Sequence, residues 1–275
     1  MATFKANSAV DLGALDELGF LIDYTDHPPL VTSNEITIAV TEDVVEIMLN
    51  IHGSGFTKNG VGQINGGTID GVDARTDGAL HYQFTGLDIA IVPLLQYLKT
   101  HTVDVENQAS QRLLNGDDTV IGSNQNDVLF GFAGADEIEG RNGKDKLFGG
   151  DDSDILNGGR GRDKLTGGAD ADTFVFSFLG RKHADKITDF EVGVDRIAFD
   201  DAIFTKLKSV GDDGALAQHQ FHVGDHATKK GQRIIVDNEH HKMFYDPDGS
   251  GLAHQILVAK YTGAITYDAS SPYLF

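Results

Sequence analysis

Residues Gly122 to Leu165, broken every nine positions, read GSNQNDVLF GFAGADEIE GRNGKDKLF GGDDSDILN GGRGRDKL. The phase extends in both directions, giving seven contiguous nine-residue units from Leu113 to Val175 with no insertion or deletion. The sixth position is Asp in every unit: Asp118, Asp127, Asp136, Asp145, Asp154, Asp163 and Asp172. The eighth is always apolar (Val120, Leu129, Ile138, Leu147, Leu156, Leu165, Phe174), and Gly opens every unit but the first. Self-similarity at a fixed period is the mark of a stacked architecture, whereas an acidic low-complexity tract would scatter its Asp residues out of phase with the aliphatics.

Six Gly-rich positions suit a tight turn, because Gly tolerates positive φ and close backbone approach. The other three, such as Val128-Leu129-Phe130, suit a short strand whose middle side chain points inward. One unit is then half a coil and two make a full coil, so stacked coils form a parallel β-roll with one short sheet on each side. Asp118, Asp136, Asp154 and Asp172 fall on one edge of the roll, and Asp127, Asp145 and Asp163 on the other. Same-edge carboxylates lie one strand spacing apart, ~4.8 Å, and at an effective dielectric of 20 each such pair repels by about 3 kcal/mol. A hard divalent cation between turns reverses that sign. Ca²⁺ fits, taking several carboxylate and carbonyl oxygens in flexible geometry; Mg²⁺ demands stricter octahedral geometry. Zn²⁺ favours Cys or His, which the repeats lack.

The pattern resembles GGxGxDxUx, the nonapeptide of the RTX, or haemolysin-type, calcium-binding family. The resemblance implies an ion between turns n and n+2, held by both sixth-position Asp residues and by main-chain carbonyls near positions two and four. Carried onto this chain, it implies five sites, pairing Asp118 with Asp136, Asp136 with Asp154, Asp154 with Asp172, Asp127 with Asp145, and Asp145 with Asp163. The carbonyl donors it implies are those of Gly134, Gly143, Gly150, Gly159, Gly161 and Gly168. The second unit carries Ser123 and Gln125 at positions two and four, so sites that use its turn depart from the pattern.

Outward from the repeats, ITDFEVGVDRI after the last unit is similar to the segment that follows the repeats in serralysin-type proteins, and Asp189 and Asp195 there are candidates to close the last calcium site. QRIIVDN, KMFYDPDGSG and HQILVAKYTG read as successive strands, with a hairpin expected at Asp248-Gly249. Asp246, Asp248, Ser250 and Gly251 partly mimic an EF-hand loop, but its twelfth position is Leu257 instead of Glu, so a plain turn is expected. His219, His222 and His226 have metal-like spacing inside what looks like ordinary cap sequence. In Met1 to Arg112, EITIAVT and VVEIMLNIHG read as strands, GVGQINGGTIDGVDAR as a stretch that already coils, and LDIAIVPLLQYLKTH as a helix despite Pro93. The expected fold is therefore all-β dominated: an N-terminal mixed α/β cap over 1–112, a parallel β-roll over 113–175, and a β-rich C-terminal cap over 176–275.

Composition narrows the partners. With 42 acidic against 22 basic residues, a net charge of −20 argues against nucleic acid and other polyanions and for a cation. There is no cysteine, hence neither disulfide nor thiolate site. No uncharged run approaches the ~20 residues that span a bilayer, and the N-terminus lacks a signal-peptide apolar core. The resemblance implies an uncleaved C-terminal signal, here ending SSPYLF, read by a type I exporter of a Gram-negative bacterium. No HExxH helix, GxSxG elbow or GxxxxGK[ST] loop occurs. The expected protein is secreted, non-enzymatic and folded by Ca²⁺ outside the cell, in contact with a glycan, host or matrix surface. The alternative is a polysaccharide-active or proteolytic enzyme with its site in the N-terminal region.

Overall fold

The computed structural model describes backbone and side chains over 116–209, 214–251 and 254–266, and the backbone of seven further strands. Those are β1 (Thr3–Ala6), β2 (Leu30–Val31), β3 (Glu35–Glu42), β4 (Val45–Lys58), β5 (Ile64–Thr76), β6 (Ala79–Ala90) and, at the far end, β22 (Tyr273–Leu274).

The nonapeptides wind into a two-sided parallel roll. One sheet stacks β7 (Thr119–Ile121), β9 (Glu137–Glu139), β12 (Ile155–Asn157), β15 (Thr173–Phe176) and β17 (Arg196–Phe199). The other stacks β8 (Val128–Ala133), β11 (Lys146–Asp151), β14 (Lys164–Gly168) and β16 (Asp185–Ile187). Between them, β10 (Asn142–Gly143) and β13 (Arg160–Gly161) pair along one turn edge. Register follows the sequence period: Thr119 faces Glu137, Glu137 faces Ile155, and Val128 faces Lys146, which in turn faces Lys164. After the last unit the coil lengthens, so that Lys164 faces Lys186 and Thr173 faces Arg196.

Each unit sends one apolar side chain inward. Val120, Leu129, Ile138, Leu147, Leu156, Leu165 and Phe174 are all 0% exposed, and Ile187 and Ile197 continue the two columns. With one such residue per half-coil the core is a narrow stack, and a gap in it cannot be filled from the side. Leu147→Ala is expected to cost about 2–5 kcal/mol, read as a lower midpoint of denaturant unfolding at saturating calcium; an unchanged midpoint would remove Leu147 from the core.

Further strands extend the first sheet of the roll at both ends and the second at its C-terminal end; among the described residues β8 is the N-terminal edge of the second sheet. At the N-terminal end β1 pairs in parallel with β7 and antiparallel with β6, so the antiparallel series β2 to β6 continues the first sheet. At the other end β22 adds to β17. The second sheet is extended by β21 (Ile256–Lys260), β20 (Lys242–Tyr245), β19 (Ile234–Asp237) and β18 (Phe221–Val223). Phe176, Phe199, Phe204 and Tyr245 close the core at this end, with successive ring centroids 6.0, 4.8 and 5.2 Å apart.

Two local expectations are corrected. The Gly-rich GVGQINGGTIDGVDAR does not coil: Ile64–Thr76 is a 13-residue strand antiparallel to β4 and β6. Register shifts at His52/Gly53 and Ile69/Gly71 absorb its glycines, as bulges commonly do. Of the predicted helix, Leu87–Ala90 lies in β6, where antiparallel pairing prevails over apolar periodicity; residues 91–101 lie outside the described residues. The hairpin expected at Asp248-Gly249 is present, with these residues inside the connection 246–255 between the antiparallel β20 and β21, and a tighter turn at 238–241, with His241 at φ 53°, joins β19 to β20.

Candidate metal centre

Coiling brings the seven repeat Asp residues into two files, and all seven are buried at 3% exposure or less. In each file the Oδ1 of one Asp accepts the backbone N–H of the Asp one coil earlier. On the first edge, Asp136 accepts from Asp118 (2.8 Å), Asp154 from Asp136 (2.9 Å) and Asp172 from Asp154 (3.0 Å). On the second, Asp145 accepts from Asp127 (2.8 Å) and Asp163 from Asp145 (2.9 Å). These are the five same-edge pairs expected from the period.

The ladders continue beyond the repeats. Asp172 donates its N–H to Oδ1 of Asp195 at 3.1 Å, and Asp163 donates to Oδ1 of Asp185 at 2.9 Å. Asp195 thus continues the first file. Asp189 does not join a file: it is exposed, and its carboxylate accepts the N–H groups of Gly167 and Gly168, both at 3.0 Å. Asp185 was not foreseen, because its coil spans 22 residues instead of 18. The signal was present locally: Asp185-Lys186-Ile187 repeats Asp145-Lys146-Leu147 and Asp163-Lys164-Leu165.

The glycines shape the cradle of each carboxylate. A Cβ on Gly140 would come within 2.7 Å of both Oδ2 of Asp145 and the carbonyl oxygen of Gly158, so only Gly fits the leading position. At most of positions two and four the chain turns with positive φ, as at Gly150 (133°) and Gly143 (150°), though not at Gln125 or Gly161. Where the sequence departs from Gly there, Phe132, Arg141, Asp152 and Asp170 adopt the same sense at φ between 66 and 77°, a conformation non-Gly residues enter only at a cost. The conformation leads the carbonyls of one turn toward the next: those of Gly116, Gly143 and Gly150 lie directly under Gly134, Gly161 and Gly168. Each carbonyl oxygen has a second lone pair beyond any ladder bond it makes.

Ser123 breaks the pattern at the start of the second edge. It has no positive φ, and its N–H donates to Oδ2 of Asp127 at 2.6 Å while its hydroxyl donates to both carboxylate oxygens at 3.1 and 3.0 Å. The Oδ2 of Asp127 is therefore held by protein donors, as is that of Asp195, which accepts the Glu191 N–H at 2.7 Å.

The Oδ2 atoms of Asp136, Asp145, Asp154 and Asp163 are buried and accept no hydrogen bond. A buried carboxylate oxygen without a donor carries the desolvation cost of an unpaired charge. The carboxyl groups respond accordingly. Burial, aided by the neighbouring carboxylates, pushes Asp136, Asp145 and Asp172 up to about 7 and Asp154 to about 8, and burial alone pushes Asp163 to about 6. Asp185 is raised well above its ordinary value for the same reason, and Asp195 is raised too. Orphaned anionic oxygens flanked by backbone carbonyls form a donor set made only of oxygen, which fits a hard cation of flexible coordination.

Elsewhere, no three His, Cys, Asp or Glu side chains converge as a metal cluster among the described residues, so His219, His222 and His226 do not form one. In the loop after β20, Oδ1 of Asp246 accepts from the N–H groups of Asp248 (3.2 Å) and Gly249 (2.7 Å), an Asx turn in place of an EF-hand.

Residues 114–147 and 148–177 match the family model of the RTX calcium-binding nonapeptide repeat. This segment is a tract of RTX repeats, and its ion is Ca²⁺. Two solved structures are similar to part of the chain, both subunits of a mannuronan C5-epimerase of Azotobacter vinelandii. The AlgE6R2 subunit is 23% identical, with a TM-score of 0.32, over 54% of this chain and 84% of that one. The AlgE6R3 subunit is 25% identical, with a TM-score of 0.18, over 55% of this chain and 71% of that one. No curated protein matches the chain.

Proposed function

We propose that the chain is an extracellular, non-enzymatic calcium-binding protein whose roll folds when Ca²⁺ enters the two Asp files. The observation that carries this is the set of buried, donor-less Oδ2 atoms on Asp136, Asp145, Asp154 and Asp163, inside a tract matching calcium-binding repeats. The ligands are the same-edge Asp pairs, including Asp163 with Asp185 and Asp172 with Asp195, together with carbonyls of the position-two and position-four turns, among them Gly134, Gly143, Gly150, Gly159, Gly161 and Gly168. Asp189, which caps the Gly167 turn from outside the files, serves a structural role.

Calcium supplies the positive charge that lets the files ionise while buried; every other requirement is met by the chain itself. At the low free calcium of a cell interior the files repel and the roll stays open; at millimolar calcium outside, it closes. Such a chain suits export in the unfolded state through a type I exporter. No helix among the described residues is long and apolar enough to cross a membrane. The mature role is structural or adhesive, through the outer faces of the roll. Far-UV circular dichroism in EGTA and after calcium is restored tests the proposal: β signal that appears only with calcium supports it, and equal signal in both states removes it.

A further inference from the structure

Charge is segregated between alternate repeats. Outside the sixth-position Asp, units 122–130, 140–148 and 158–166 hold six basic residues and no acid, while the other four units hold six acids and no base. Because alternate units feed opposite sheets, the second sheet of the roll receives the basic set. Along one row of its outer face, Lys146 faces Lys164, Lys164 faces Lys186, Lys186 faces Lys260, and Lys260 faces Lys242. Five ammonium groups thus stand in single file on five adjacent strands, spanning about 19 Å at the usual strand spacing.

Three facts separate this row from an ordinary solvated surface. First, Lys186, Lys260 and Lys242 come from three segments outside the repeats, so the consensus alone does not account for the file. Second, like charges directly opposite each other on a sheet are destabilising. Lysines that guard a sheet belong on its edges, whereas β11, β14, β16, β21 and β20 are all interior strands. Third, the ion pairs formed among the described residues involve none of the five. Two residues further along the strands runs a parallel rail of Phe130, Phe148, Thr166 and Thr188. The Phe130 and Phe148 rings stack at 4.7 Å and 10°, and the Lys164 ammonium lies 5.8 Å from the Phe148 ring centre.

We propose that this face binds a linear acidic polysaccharide, one bearing carboxylates on its sugar rings. It rests on the calcium-loaded roll as the folded state. The file of point charges meets a single file of carboxylates, and the aromatic and hydroxyl rail meets ring faces and hydroxyls. A lysine row meets carboxylate or phosphate alike, as a file of point charges, and oligothymidylate and phosphatidylserine in the test separate those sources from the polysaccharide. The net charge of −20 opposes polyanions at long range, but beyond about 8 Å in physiological salt that repulsion is screened, and the local row decides.

Fluorescence anisotropy of a fluorescein-labelled oligoglucuronate, short enough to stay soluble with calcium, tests the proposal on the calcium-loaded full chain. Binding is expected to saturate, to weaken as NaCl rises, and to be about tenfold weaker in K146Q/K164Q/K186Q. It is expected to be unchanged in K206Q/K229Q/K230Q, with the same β signal in every variant. Equal binding by the ladder variant, no binding by the folded chain, or tighter binding of oligothymidylate or phosphatidylserine vesicles would overturn it. A wild-type chain without β signal at saturating calcium would instead overturn the calcium-driven fold, and this inference with it.

Discussion

In calcium-free buffer at neutral pH the chain is expected to lose the β signal of the roll, and to regain it when millimolar CaCl₂ is added. The cause is a sum of small terms. For sites of the extracellular class, with Kd ~10⁻⁴–10⁻³ M, 1 mM calcium contributes about 0.4–1.4 kcal/mol each. Seven same-edge pairs, joined by the Asp-to-Asp hydrogen bonds from Asp118 to Asp195 and from Asp127 to Asp185, make that about 3–10 kcal/mol. Whole domains are stable by only about 5–15 kcal/mol, so withdrawing the ions removes most or all of the margin. It also leaves buried charges unpaired, at several kcal/mol for an isolated ion. The transition in calcium is expected to be steep, since each bound ion fixes two turns that belong to neighbouring sites on the same edge. A shallow, single-site titration with the β signal present throughout would contradict it.

The second large effect concerns acid. Most proteins lose stability as pH falls, because native carboxylates are paired and ionised. Here the sign is reversed when calcium is absent. Burial raises Asp136, Asp145 and Asp172 to about 7, Asp154 to about 8 and Asp163 to about 6, against 3.8 for an ordinary Asp. Between those limits the folded state holds protons that the unfolded chain has released, so stability falls as pH rises. The stabilisation is complete below about pH 4 and is lost through pH 6–8. Each tenfold change in acidity is worth about 1.4 kcal/mol per group, so even one such Asp shifts stability by a few kcal/mol. Calcium needs the ionised carboxylates, so its affinity rises over the same range. Thermal melts from pH 4 to 8 in calcium-stripped buffer are expected to show midpoints falling with pH until the transition vanishes near neutrality, and melts at millimolar calcium midpoints rising with it. Midpoints that rise with pH in both series would show that the Asp files are not buried as charges.

Much of the roll was legible because its signals are local and periodic. Asp at the sixth position and an apolar residue at the eighth fix the half-coil, the two edges and the register of every repeat strand. The files ran further than the period because their last members need only a strand and its Asp, not a coil of fixed length; Asp185 and Asp195 sit on coils of 22 and 23 residues. Ser123 was recognisable as a departure, but that its hydroxyl and N–H would hold Asp127 depends on turn geometry no spacing encodes. The antiparallel series of the N-terminal region was harder to read. Its glycines look like coil until long partner strands absorb them as bulges, and the apolar Leu87–Ala90 is claimed by β5 before a helix can use it. The lysine row was hidden for a different reason: the total charge of the chain conceals a sign that alternates with the coil.

The central claim is that calcium lies between successive Asp residues of each file, and anomalous diffraction from a crystal grown with calcium tests it most directly. Anomalous peaks are expected between Asp136 and Asp154, Asp154 and Asp172, and Asp145 and Asp163, each beside an Oδ2 atom that otherwise has no donor. Density without peaks there, or with these carboxylates swung out to solvent in ample calcium, would contradict the account.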